Sequence, residues 1–123
     1  MPHIILVGLG GALGAIARHA IDRVAVTQLG SSVTGTFLVN VSGSFLLGMF
    51  TGLMLSHLSW PDGTRMFVAV GFLGSYTTFS TLSVATVHSL EKGDVSGVVV
   101  NLGGSVIFGI VAAIAGMVIG KAM

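Results

Sequence analysis

Along this chain apolar residues come in long runs rather than in alternation. No Asp, Glu, Lys or Arg occurs from Val24 to Pro61, from Met66 to Leu90, or from Val95 to Gly120. All four acidic residues (Asp22, Asp62, Glu91 and Asp94) stand at the edges of these runs. A helix that crosses a bilayer needs about 20 mostly apolar residues. The pattern therefore predicts helices near 4–26, 34–58, 65–90 and 95–120. Lipid offers no hydrogen bonds to a bare backbone, so only helices or closed barrels cross it, and continuous runs lack the two-residue period of barrel strands. The expectation is an all-α membrane protein, multi-pass in the cell (inner) membrane, with one four-helix domain over residues 1–123.

Composition strengthens this reading. The chain is 53% hydrophobic and 7% charged, whereas a soluble domain carries about a quarter charged residues. Its nineteen glycines weaken soluble helices but allow close helix packing in lipid. A net charge of +1 gives no footprint for nucleic acid or a polybasic anchor. Without cysteine there is no disulfide, thiolate nucleophile or zinc-thiolate site.

Two features near the start imitate other things. Ile4-Ile5-Leu6-Val7 followed by Gly8, Gly10 and Gly14 resembles a dinucleotide fingerprint, but that motif needs a second strand ending in an acidic residue about 20 positions on. Another apolar helix is predicted there instead. Ile4–Gly14 with Ala15-Ile16-Ala17 also resembles a signal peptide, yet only Met1-Pro2-His3 precede it, with no positive n-region. A retained first helix is expected.

The loops carry little orientation signal. Arg65 and Lys121 fall on one side, Arg23 and Lys92 on the other, with Arg18 joining the second set if it reaches the interface. Orientation follows a Lys/Arg excess, and none stands out, so insertion in both orientations is expected. Many transporters build a midplane site from two inverted halves, and no internal repeat supplies them here. Two oppositely oriented copies would do so. Small residues four apart (Gly10 and Gly14, Ser44 and Gly48, Gly48 and Gly52, Gly116 and Gly120) offer surfaces for tight packing.

The polar residues inside the runs are amides and hydroxyls. Asn40 lies in helix 2, and Asn101 and Ser105 lie one turn apart in helix 4. Helix 3 holds two glycines and six Ser/Thr between Gly71 and Ser83. That density fits a helix broken near its middle, with freed carbonyls lining a cavity or holding a cation, and the plainer alternative is hydroxyls bonded back to carbonyls one turn earlier. After the break, Thr77, Ser80 and Thr81 fall on one face and Phe79, Leu82 and Ser83 on another. Hydroxyls and amides can donate, and a phenyl ring has a positive edge, so this lining suits an anion shedding water without meeting a trapping charge. No carboxylate lies within the runs for cation or proton coupling. Arg18 either attracts anions or snorkels to the interface beside Asp22. No Ser-His-acid arrangement has its acid in the membrane, and the histidines (His3, His19, His57, His88) sit near helix ends, so no enzyme is expected.

These motifs make the sequence resemble the Fluc/CrcB family of fluoride channels along nearly its whole length. The resemblance rests on Gly10-Gly11 through Gly14 to Arg18, on Gly35-Thr36 through Asn40 to Gly43 and Gly48, and on Gly71-Phe72-Leu73-Gly74 through Thr77-Thr78-Phe79-Ser80-Thr81. It implies an antiparallel, dual-topology homodimer with two fluoride pathways, exporting cytoplasmic fluoride passively and so lowering its toxicity. A structural sodium ion is implied at the dimer centre, held by the carbonyls of Gly74 and Thr77. Asn40 maps onto the pathway amide and Phe79 onto the first of two phenylalanines. Ser80, Thr81 and Ser83 map onto a hydroxyl track joined by Ser105, and Arg18 onto an arginine near the entrance.

Two positions depart from the family pattern. Its second phenylalanine is Leu82 here, which removes one ring edge and leaves open a pairing with a related chain that retains it. The position four before Ser105, often tyrosine in the family, is Asn101. Two rival readings are weaker. A small four-helix multidrug exporter needs a glutamate inside helix 1, which is missing, and a non-conducting scaffold has no use for the ordered hydroxyls of helix 3.

Overall fold

The computed structural model describes residues 1–30 and 32–123, with Ser32 described through its backbone only. Helix α1 covers His3–Leu29, and its last residues, Ala25–Leu29, widen into π-helical turns before Gly30 ends it at φ 73°. Only a residue without a Cβ enters that left-handed region at no cost. Helix α2 covers Ser32–Ser56. It stops two residues short of the expected boundary because His57 and Trp60 close a turn, His57 N–H donating to Met54 O (3.2 Å) and Trp60 N–H to His57 O (3.1 Å). The two rings stack at 5.0 Å, and Pro61, whose ring disfavours a helical residue before it, seals the end.

The third span, Asp62–Glu91, comes in two parts. Helix α3 runs over residues 62–76, with π-helical turns from Met66 to Leu73. Thr77 (φ −86°, ψ 153°) and Thr78 (φ −152°, ψ 119°) are extended, and helix α4 covers Phe79–Glu91. Gly93, at φ 75°, turns the chain. Asp94 then caps helix α5 (Val95–Ala122), its Oδ1 accepting from Gly97 N–H at 2.9 Å, the usual service of an aspartate at a helix start. Four stretches are thus long and apolar enough to cross a membrane, as the hydrophobic runs predict.

The helices pack as two parallel pairs. Residues of α1 and α3 rise together along their contact: a Cβ on Gly10 would meet the Phe67 carbonyl, one on Gly14 the Phe72 carbonyl, and one on Gly71 the Val7 carbonyl. The α2–α5 pair is built alike and is the most extensive contact in the chain. There Gly48 faces Ala113 O, Gly52 faces Met117 O, Gly116 faces Phe45 O and Gly120 faces Met49 O. At each point a backbone sits where a methyl would be. The small-residue pairs therefore serve packing inside one chain, where dispersion between close backbones replaces the hydrophobic drive that lipid abolishes.

Buried side chains are few. Val39, Leu73 and Tyr76 form the central cluster, backed by Ala17, Ile21, Val68 and Phe72. Ile4, Ile16, Val87, Val111 and Ile114 point outward, as expected where the surroundings are hydrocarbon.

Candidate functional site

Extended backbone at Thr77 and Thr78 costs the third span several ladder hydrogen bonds. A continuous helix would send Thr78 N–H to Gly74 O, Phe79 N–H to Ser75 O, Ser80 N–H to Tyr76 O and Thr81 N–H to Thr77 O. Within a membrane each lost bond is expensive unless another group replaces it. Neighbouring helices and the chain itself make some of these replacements. Asn40 of α2 bonds one residue from both ends of its amide: Oδ1 accepts from Thr78 N–H at 2.8 Å, and one Nδ2 hydrogen is donated to Thr78 O at 3.0 Å. Arg18 of α1 donates from Nε to Ser75 O at 3.1 Å. A cation at the last turn of α3 also suits the negative end of that helix. Thr78 Oγ1 accepts from Thr81 N–H at 3.3 Å and so caps α4.

The N–H groups of Thr78 and Thr81, which a continuous helix would send to Gly74 O and Thr77 O, are turned instead to Asn40 Oδ1 and Thr78 Oγ1. Gly74 is itself exposed. One short interruption thus parts carbonyl oxygens from their helical donors where α3 ends.

Tyr76 anchors this backbone. Its ring is buried, stacks on Phe72 with centroids 5.9 Å apart, and its hydroxyl lies 2.9 Å from Ser42 Oγ. A Cβ on Gly43 would strike Thr77 Cγ2 and crowd the Tyr76 ring, so this glycine lets α2 lie directly against the interruption. A cavity of about 230 Å³ opens beside it, lined by Arg18, His19, Asp22, Thr36, Thr78 and Thr81 among others. Among the described residues no cluster of three or more His, Cys, Asp or Glu is arranged to hold a metal.

The structure brings together Arg18, Asn40, Gly74, Thr77, Ser80 and Thr81 of the expected site residues. Ser80 Oγ and Thr81 Oγ1 each lie 3.2 Å from Thr78 Oγ1, a cluster of three hydroxyls. Two other hydroxyls turn to the backbone: Thr77 Oγ1 donates to Leu73 O at 3.1 Å and Ser83 Oγ to Phe79 O at 3.0 Å. Phe79 and Leu82 do not share an environment. Phe79 is 78% exposed, whereas Leu82 is 6% exposed.

Asn101 and Ser105 stand apart from the interruption. Each is only 8% exposed, and among the described residues Asn101 Nδ2 and Ser105 Oγ have no hydrogen-bond partner. Asn101 borders a groove of about 550 Å³ between α2 and α5, beside the edge-to-face pair of Phe37 and Phe108. A buried donor without an acceptor costs roughly 1–3 kcal/mol.

The bond from Arg18 to Ser75 O was not legible in advance, since residues 57 apart in sequence carry no spacing signal. The same holds for Asn40 and Thr78. Thr78 as a helix cap had a readable sign, a threonine just before the apolar part of a helix.

Four apolar spans, with a polar interruption in the third and, among the described residues, two unpartnered buried polar side chains in the fourth, make this a small multi-pass membrane protein. Comparison narrows this class. Residues 5–117 match the family described as "CrcB-like protein, Camphor Resistance (CrcB)", and the chain belongs to that family. Curated relatives include a protein from Nitrobacter winogradskyi, 40% identical over 93% of this chain and 91% of its own length. Another, from Acidobacterium capsulatum, is 38% identical over 94% of this chain and 93% of its own. A third, from Hydrogenovibrio crunogenus, is 40% identical over 96% of this chain and 90% of its own. All three are described as "Fluoride-specific ion channel FluC", an ion-channel description and not that of an enzyme.

Proposed function

We propose that this chain is a fluoride-selective passive channel that exports cytoplasmic fluoride. Its likeness over nearly full length to relatives described as fluoride-specific channels carries the reading. Hydrogen fluoride crosses bilayers unaided and ionises in a neutral cytoplasm, leaving the anion trapped. A membrane potential of 100 mV is worth about 2.3 kcal/mol per charge, enough to drive the anion outward without an energy source in the protein.

The conducting unit is an antiparallel, dual-topology dimer. Within one protomer Phe79 is almost fully exposed, and among the described residues Asn101 Nδ2 and Ser105 Oγ lack acceptors. A partner laid across the exposed face of Phe79 would enclose two pathways. Each would be lined by the free N–H of Asn40, the ring edge of Phe79, the hydroxyls of Ser80, Thr81 and Ser83, and the donors of Asn101 and Ser105. Such groups replace water around fluoride without a fixed cation to trap it. Arg18 stands by the cavity that would serve as the entrance, where its charge favours anions.

A structural sodium ion belongs at the dimer centre. The residues fit it: sodium takes oxygen ligands, and the carbonyls of Gly74 and Thr77 have lost their helical donors at an exposed point of the chain. Bound there, the ion would neutralise the carbonyl ends of two interrupted spans. Leu82 favours a second reading, pairing with a related chain that carries phenylalanine at that position.

Fluoride efflux from liposomes holding this chain alone, followed with a fluoride electrode after adding a potassium ionophore, tests the reading. Rapid efflux with negligible chloride efflux is expected, and Phe79→Ile should slow it. No efflux from folded protein, alone or reconstituted with a related chain, would overturn it. Efflux only with the related chain would establish the heterodimer.

A further inference from the structure

The interruption in the third span frees carbonyls at four consecutive positions, Gly74 to Thr77, yet only some are left for a ligand. Arg18 Nε takes Ser75 O, and Asn40 takes both the N–H and the C=O of Thr78. Two side chains from two different helices therefore grip the interruption on its two flanks. We propose that Arg18 and Asn40 are positioning residues for the cation, fixing the interrupted backbone so that the Gly74 and Thr77 carbonyls, and not that of Ser75, are presented to sodium. This rests on the sodium site proposed above and adds a role for both residues distinct from contact with the anion.

The physical case is one of competition. Sodium discriminates little between one carbonyl oxygen and another, and the extended segment at Thr77 and Thr78 has enough freedom to offer several combinations with the last carbonyls of α3. Ordering one backbone residue costs roughly 1–2 kcal/mol, and a bidentate amide holding Thr78 removes that cost before the ion arrives. Preorganisation of this kind appears as ligand affinity. The Arg18 bond does the same for Ser75 by occupying its oxygen. Its contribution comes from Nε, the atom nearest the aliphatic stem, so the five-donor guanidinium keeps its other N–H groups for the cavity.

That detail separates the roles. Arg18→Gln places an amide nitrogen at the position of Nε and removes the charge. Arg18→Lys keeps the charge and puts a methylene at that position. Arg18→Met keeps neither. The readout is the sodium concentration giving half of the sodium-induced rise in Tm of the purified protein in detergent, with N-methylglucamine chloride holding ionic strength constant. Sodium should stabilise the wild type by mass action.

Arg18→Gln should keep the half-effective concentration within about threefold of wild type, or lower it by removing a nearby positive charge. Arg18→Lys and Arg18→Met should raise it about tenfold, which corresponds to roughly 1.4 kcal/mol. Asn40→Leu should raise it at least as far. Asn40→Asp, which still accepts from Thr78 N–H, should fall between, and it covers the case in which Asn40→Leu does not fold.

Sodium responses unchanged in all variants of a sodium-responsive wild type would overturn the positioning role and leave the sodium site intact. Wild-type behaviour of Arg18→Lys with loss in Arg18→Gln would overturn it too, by assigning Arg18 to charge alone. A wild type indifferent to sodium would overturn the sodium site and this inference together, while its fluoride efflux would still report separately on the channel.

Discussion

The α2–α5 pair and the interrupted third span solve the same problem in opposite ways. Both must pass through hydrocarbon with every backbone group satisfied. In the α2–α5 pair the helices stay continuous except for the wide turns at Val99–Gly103, and glycines let one backbone rest on another's carbonyls. Their close contacts at Gly48, Gly52, Gly116 and Gly120 are backbone against backbone and need no polar side chain. In the third span the helix stops at Tyr76, and its loose ends are gathered by Arg18, Asn40 and Thr78. The first region has no space for an added atom at Gly48, Gly52, Gly116 and Gly120. The second tolerates no lost hydrogen bond. A region held by shape is rigid for its own sake, whereas one held by borrowed hydrogen bonds leaves selected polar groups open for a ligand.

The sharpest way to break this contrast is to add atoms where shape rules. Gly116→Val places a branched side chain against Phe45 O and Met49 N, both backbone atoms that cannot rotate away. Overpacking of a close-packed contact costs about 3 kcal/mol or more at such a site. The expected result is loss of the monodisperse folded species on size exclusion. A Gly116→Val protein with wild-type Tm would mean the pair is not the rigid element. Gly8→Ala is the matched control, because nothing lies within 4 Å of its added Cβ.

A moderate effect is expected at Leu82. A ring there enters a position already buried inside the protomer, so Leu82→Phe should lower stability by about 1–3 kcal/mol, read as a fall in Tm. If Tm rises instead, the position has room that the protomer does not fill, and a phenylalanine is its natural occupant.

The smallest effect on folding sharpens the comparison from the polar side. Ser105→Ala removes a buried hydroxyl that has no partner among the described residues. Relief of that unmet group should leave folding stability unchanged or raise it by about 1 kcal/mol, while fluoride efflux falls. Loss of stability with efflux intact would show that Ser105 is satisfied by the protein and lies off the pathway.

Much of the architecture was legible from the runs of apolar residues, because a bilayer demands a fixed length of hydrophobic helix and punishes charges placed within it. Asp62, Glu91 and Asp94 fall at the ends of the third and fourth spans, whereas the first helix runs on past Asp22 to Leu29. The second helix ended early, because its end depends on a His57–Trp60 stack that hydropathy does not register. The hydroxyl-rich stretch from Gly71 to Ser83 marked where polar chemistry is concentrated. It did not distinguish Thr77 and Ser83, which bond back to their own helix, from Thr78, Ser80 and Thr81, which meet one another.

Sequence alone determined that the chain crosses a membrane four times and keeps amides and hydroxyls, not carboxylates, inside it. These are consequences of composition and periodicity, which act locally along the chain. Only the tertiary structure decided which glycines meet which carbonyls, that Arg18 turns to Ser75 rather than to Asp22, and that Asn40 aims its amide at Thr78. Those choices join residues on different helices. Their energies depend on distances and directions that exist only once the helices have packed.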